Sequence, residues 1–176
     1  MQKSVTILTF IGIITGALGF LMFSMGGGII GPFAFIAPYA PGLIFGAGVA
    51  MYFHFRGAGL FSRRSLSLFV LGSCVAWIVA YHVASFVLQI TWNESNYRLS
   101  LWPFILAGAV GGLLLSLSFS RWVKKLLRED QWTFVIVCGM LGAAGSFSLP
   151  ALFVLWQAVA ACMFAIMYNK SLQVVA

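Results

Sequence analysis

Residues 101–131 read LWPFILAGAVGGLLLSLSFS-RWVKKLLREDQ: twenty residues without a charge, then a segment in which six of eleven residues are charged. An uncharged run of that length is what an α-helix needs to cross the roughly 30 Å hydrocarbon core of a bilayer. The charges collected directly behind it mark the place where the chain returns to water. Five more apolar runs flank this pair, and together they predict spans at about residues 5–24, 33–55, 65–90, 101–120, 132–149 and 150–168.

Composition agrees with that reading. The 176 residues are 62% hydrophobic and 7% charged, with a mean hydropathy of +1.04. Soluble domains carry about 25% charged residues, so this chain has too little polar surface for water. The spans use most of the length, and a single transmembrane domain over residues 1–176 is expected. The opening Met1-Gln2-Lys3 before an apolar run resembles a signal peptide. The run from Val5 to Phe23 is nevertheless long enough to span, and it reads as a retained first helix.

Charge distribution predicts topology. Lys3, Arg56, Arg63, Arg64, Arg121, Lys124, Lys125, Arg128 and Lys170 fall on one side of a six-span thread, and Arg98 alone falls on the other. The positive-inside rule makes the first side cytoplasmic and puts both termini there. The expected setting is a bacterial inner (plasma) membrane. The same distribution sets aside nucleic acid as a partner despite a pI near 9.8, because the basic residues lie in short loops beside apolar runs. Arg121, Trp122, Lys124, Lys125 and Arg128 belong to a short amphipathic segment expected to contact anionic lipid at the cytoplasmic face; docking of a cytoplasmic partner is the other use for it.

Two segment pairs match across the chain: Ile13–Ser24 with Ile105–Ser116, and Leu68–Ala76 with Leu152–Ala160. They link span 1 to span 4 and span 3 to span 6, as two inverted three-helix repeats would. The plain alternative is chance similarity between helices rich in Gly, Ala and Leu. The predicted fold is thus an all-α bundle of six transmembrane helices, with or without that internal symmetry.

Direct signals of chemistry are few. Gly26–Pro41 contains three consecutive glycines and Pro32, Pro38 and Pro41, so it cannot form a regular helix. Irregular backbone at membrane depth lines a cavity or is buried in protein. Phe33, Phe35, Phe45 and Tyr39 would give such a cavity an aromatic wall; an ordinary loop before a kinked helix is the alternative. His82 and Gln157 are polar groups inside spans and complete the candidate ligand site, weighed against simple interhelical hydrogen bonding. His54 and His82 differ in depth by roughly 20 Å along their helices and cannot share a haem or a metal ion. Cys74, Cys138 and Cys162 fall at one predicted depth, which permits a soft-metal site, but no CxxC pair accompanies them and small buried apolar thiols are the ordinary reading.

The acids Glu94, Glu129 and Asp130 all lie in predicted loops, so no carboxylate is offered for proton or sodium coupling or for an intramembrane aspartyl protease. No HExxH, Walker or CxxCH sequence appears. An enzyme is not expected, nor a cofactor. Asn93-Glu94-Ser95 matches a glycosylation triplet of the kind that arises by chance. Glycines and alanines at helical spacing (Gly12, Gly16 and Gly19; Gly46 and Ala50; Gly108 and Gly112) predict close helix packing and offer surfaces for a partner subunit or a second copy.

In length and span count the chain resembles the substrate-binding subunits of energy-coupling-factor vitamin transporters, with no shared motif by which a residue could be carried across. The leading expectation is a membrane protein that binds or transports a small neutral or lipophilic solute. The alternatives are a non-catalytic accessory subunit of a larger membrane complex, and a metal- or redox-handling protein.

Overall fold

The computed structural model describes residues 2–26, 37–56, 62–91, 101–121 and 127–173. Among them the chain is entirely helical. Six α-helices follow one another: α1 (Gln2–Gly26), α2 (Ala40–Arg56), α3 (Arg63–Thr91), α4 (Trp102–Ser120), α5 (Arg128–Gly142) and α6 (Leu149–Gln173). Four of them, α1, α3, α4 and α6, are long and apolar enough to cross a membrane. The other two are shorter, 17 residues for α2 and 15 for α5, and each is extended by a 3-10 turn: Ala37–Tyr39 before α2 and Ala143–Ser146 after α5.

Prolines set the starts of three helices. Pro41, Pro103 and Pro150 each occupy the second position of α2, α4 and α6. There the missing N–H has no intrahelical partner to lose and the fixed φ suits the first turn. Pro38 and Pro41 therefore begin the second helix, whereas the sequence placed them inside its first half. The separation of α5 from α6 falls at Phe147–Ser148, and the Ser148 hydroxyl receives the Ala151 N–H at 3.4 Å. Leu127 is extended (φ −68°, ψ 136°), so α5 starts afresh at Arg128. Residues 122–126, and most of the expected amphipathic segment with them, lie outside the described residues.

Neighbouring helices run antiparallel and close into a ring in the order α1, α2, α3, α4, α5, α6 and back to α1. The closest contacts are made where glycine removes the side chain. A Cβ at Gly16 would stand 2.6 Å from the Phe153 carbonyl oxygen and 2.8 Å from the Val154 Cα, so α1 and α6 touch backbone to backbone. Gly108 does the same against the Cys138 carbonyl, drawing α4 onto α5. Lipid is as apolar as leucine, so such close packing, rather than flight from water, holds membrane helices together.

These contacts bear on the internal repeat. The segment match aligns Gly16 with Gly108. Gly16 faces α6, while Gly108 faces α5, which would correspond to α2 in a three-helix repeat. The aligned glycines thus meet non-equivalent neighbours.

Burial is arranged for an apolar surround. Phe10, Leu71, Phe86, Ile136 and Met140 are exposed around the outside of the ring. Several hydroxyls are satisfied inside their own helices: Thr9 donates to the Val5 carbonyl at 2.8 Å and Ser118 to that of Leu114 at 2.9 Å. The charged side chains of the described residues gather at one end of the ring, at the starts of α1, α3 and α5 and the ends of α2, α4 and α6. There Lys170 meets Asp130 at 2.7 Å and ties the end of α6 to the start of α5.

The two halves of the bundle differ in filling. On the charged side every helix sends an apolar residue inward: Leu8, Phe45 and Phe53, Phe69, Phe119, Phe134 and Phe164 are all essentially inaccessible. Phe164 is central to this cluster. It stacks on Phe119 (centroids 4.4 Å, 21°) and on Phe134 (5.0 Å, 18°) and meets Phe69 edge-on at 5.8 Å. The opposite half is hollow.

Candidate ligand cavity

The hollow is a cavity of about 260 Å³ between α1, α3, α4, α5 and α6. One wall is a stripe of α3 at spacings of three and four: Trp77, Ala80, Tyr81, Ala84, Ser85 and Leu88. That spacing puts all six on one helix face. The facing wall comes from the start of α6, with Leu149, Leu152, Phe153 and Trp156, and Phe104 of α4 and Phe23 of α1 complete it. The small residues Ala80, Ala84 and Ala107 leave the space, and Gly108 and Gly142 border it where α4 and α5 touch.

Aromatic contacts fix the shape. Phe153 lies 4.9 Å from Trp77 and 5.3 Å from Phe23, and Phe23 meets Tyr81 edge-on at 6.0 Å. Trp156 rests on Phe45 at 6.2 Å, and Phe45 in turn contacts Phe164 at 6.3 Å. The cavity is therefore continuous in packing with the phenylalanine cluster that closes the other half. Behind the α3 wall the Trp77 indole N–H donates to the Pro38 carbonyl at 2.7 Å, and the Ser73 hydroxyl donates to the Gly42 carbonyl at 2.8 Å. Both bonds anchor α3 to the start of α2.

Among the described residues no carboxylate, amine, guanidinium or imidazole lines the cavity. With the Trp77 N–H engaged, the polar side-chain groups among them are the hydroxyls of Tyr81 and Ser85. Such a space binds by removing apolar surface from water or lipid and by filling packing gaps. Its volume lies just below the roughly 300–1,000 Å³ of drug-sized sites.

The residues singled out from sequence occupy scattered positions. Phe35 lies outside the described residues. Tyr39 is half-buried in the 3-10 turn before α2. His82 is exposed on α3, with its ring 5.5 Å from that of Tyr81. Gln157 is fully buried between α6 and α1, and its Oε1 has no hydrogen-bond partner. None of the three described residues lines the cavity. Arg121 and Arg128 are exposed at the charged end, and Trp122, Lys124 and Lys125 lie outside the described residues. Cys138 is buried, Cys74 and Cys162 are half-buried, and all three are free thiols. Among the described residues no group of three or more His, Cys, Asp or Glu side chains is placed to hold a metal ion.

The true cavity residues were missed because polarity was the guide. Their signal was present as the small-and-aromatic stripe from Trp77 to Leu88. No family model, curated protein or solved structure matches the chain.

Proposed function

We propose that this chain is a six-span membrane protein that receives a small, neutral, lipophilic molecule in the cavity of its uncharged half. The observation that carries this reading is the cavity itself: an apolar, aromatic-walled space inside an otherwise close-packed ring, backed by a solid phenylalanine cluster. An α2 or α5 helix with its 3-10 turn covers 20 or 19 residues, enough to reach across a bilayer. The positive-inside rule makes the charged end cytoplasmic and turns the cavity toward the outer side. The lining among the described residues is apolar and aromatic, which supports binding or passage as its role.

The accessory-subunit reading rests on the small-residue faces and on the lack of polar chemistry. Gly12 and Gly16 pack against α6, and Gly108 and Gly112 against α5, within the same chain, which leaves the lack of polar chemistry as its support.

The test is a cavity-filling variant. Purified protein is titrated with a neutral naphthalene-sized probe, and quenching of Trp77 and Trp156 fluorescence is followed. Saturable binding is expected in the wild type and in Leu71→Trp on the outer surface, and its loss is expected in Ala84→Trp. Equal binding by wild type and Ala84→Trp, with melting temperatures matched, would overturn the assignment.

A further inference from the structure

A second recess lies on the outside of the ring at the charged end, between α2 and α3. Its floor is apolar and shallow, formed by Ala47, Ala50, Met51, Leu66 and Val70, with Ser67 on its edge. His54 and Arg63 stand at its mouth. From Val70 to Arg63 it runs roughly 10 Å along the helix. The two alanines make the recess, since larger side chains would fill the seam between the helices.

The mouth carries uncompensated positive charge. Arg56 ends α2 and Arg63 and Arg64 begin α3, all three exposed. Among the described residues the ion pair is Lys170 with Asp130, across the bundle, and no carboxylate answers these guanidiniums. The start of α3 adds the partial positive charge of a 29-residue helix. The Ser62 hydroxyl accepts the Ser65 N–H at 3.1 Å and its carbonyl accepts the Leu66 N–H at 3.1 Å, which caps the first turn of α3 beside the mouth.

An apolar seam facing the acyl region, ending at two arginines and a helix N-terminus, matches one molecule: a phospholipid with an anionic head group. We infer that this seam is a specific site for an anionic phospholipid, its acyl chain along Ala47, Ala50 and Val70 and its phosphate at Arg63. The inference rests on the membrane-spanning reading and is independent of the cavity. The amphipathic segment after α4 offers basic residues, and this site differs from it in having a built apolar seam below the charge.

The experiment begins with carbonate extraction of the full chain. Release from the membrane would sink the spanning reading itself. Retained protein is then purified and studied by native mass spectrometry with equimolar phosphatidylglycerol and phosphatidylcholine. One phosphatidylglycerol should persist at collision energies that strip phosphatidylcholine, and millimolar inorganic phosphate should not displace it. Arg63→Glu should lower its retention at least about fivefold, the effect of one basic residue at an anionic surface. Ser67→Trp, which blocks the seam from an exposed position, should lower it as well, while Lys3→Glu, exposed at the same end on α1, leaves it unchanged. Equal retention of the two lipids, displacement by phosphate, or loss in Lys3→Glu but not in Arg63→Glu would overturn the proposal.

Discussion

The indole of Trp77 donates its N–H to the carbonyl of Pro38 at 2.7 Å, so one side chain both walls the cavity and fixes the start of the second helix. Pro38 cannot sit in a continuing helix without breaking its ladder, and the bond from Trp77 supplies a partner for its carbonyl across the helix boundary. Replacing Trp77 by Phe keeps an aromatic wall and removes that donor. The expected cost is about 1 kcal/mol, with the orphaned carbonyl adding to it. Thermal unfolding in detergent reads it as a lower melting temperature. An unchanged melting temperature would show that the bond contributes nothing.

Glycine substitutions should rank by what a Cβ would strike. At Gly16 it would meet backbone of α6 at 2.6 Å, which cannot yield without separating the helices. At Gly19 the nearest atoms are 3.2–3.4 Å away and include the end of the Gln157 side chain. Gly16→Ala should therefore destabilise by about 1–3 kcal/mol, and Gly19→Ala by clearly less. The same unfolding assay orders the pair, and a reversed order would contradict the packing of α1 on α6.

Phe164 touches Phe119, Phe134, Phe69 and Phe45 at once. Phe164→Ala opens a void that the rigid ring cannot close, at a cost of about 3 kcal/mol, the low end for such truncations. Phe164→Leu should cost less. If the void stayed open it would extend the hollow half toward the charged end, and an increase in bound probe per molecule would report it.

The Lys170–Asp130 pair should matter little. Lys170 is half exposed, and an ion pair in that setting contributes less than about 1 kcal/mol. Lys170→Gln should leave the melting temperature within a few degrees of wild type, with the small difference shrinking as salt is added. A large loss would mean that Asp130 has no other way to be satisfied.

Side-specific labelling separates six spans from four. In a background with Cys74, Cys138 and Cys162 replaced by Ala, single cysteines at Lys3, Arg64 and Arg121 should all react from one side of sealed vesicles. If only α1, α3, α4 and α6 crossed, Arg64 and Arg121 would lie on the side opposite Lys3. That pattern would retire the six-span bundle and the orientation of the cavity.

Helix count and the one-sided charge were legible because both follow from composition along the chain. Runs without charge must be helical in lipid, since each backbone group has to be paired within its own segment. The cavity was not legible in the same way. His82 and Gln157 drew attention as polar residues in apolar spans, a sound rule where a site works by charge or hydrogen bonds. This site is made of space. Ala84 leaves no polar mark, and whether a small residue admits a neighbouring helix, as Gly108 admits α5, or borders open space, as Ala84 does, depends on the helix opposite. The spacing from Trp77 to Leu88 was there to be read, but it does not say what the stripe faces.

The uneven filling of the ring has a physiological side. On the proposed reading, a solute entering the hollow half would arrive above a buried cluster of six phenylalanines. The bundle would then act as a receptacle rather than a channel. Cells carrying many copies would keep their ion gradients, and any onward delivery would require the Phe164 stack to part.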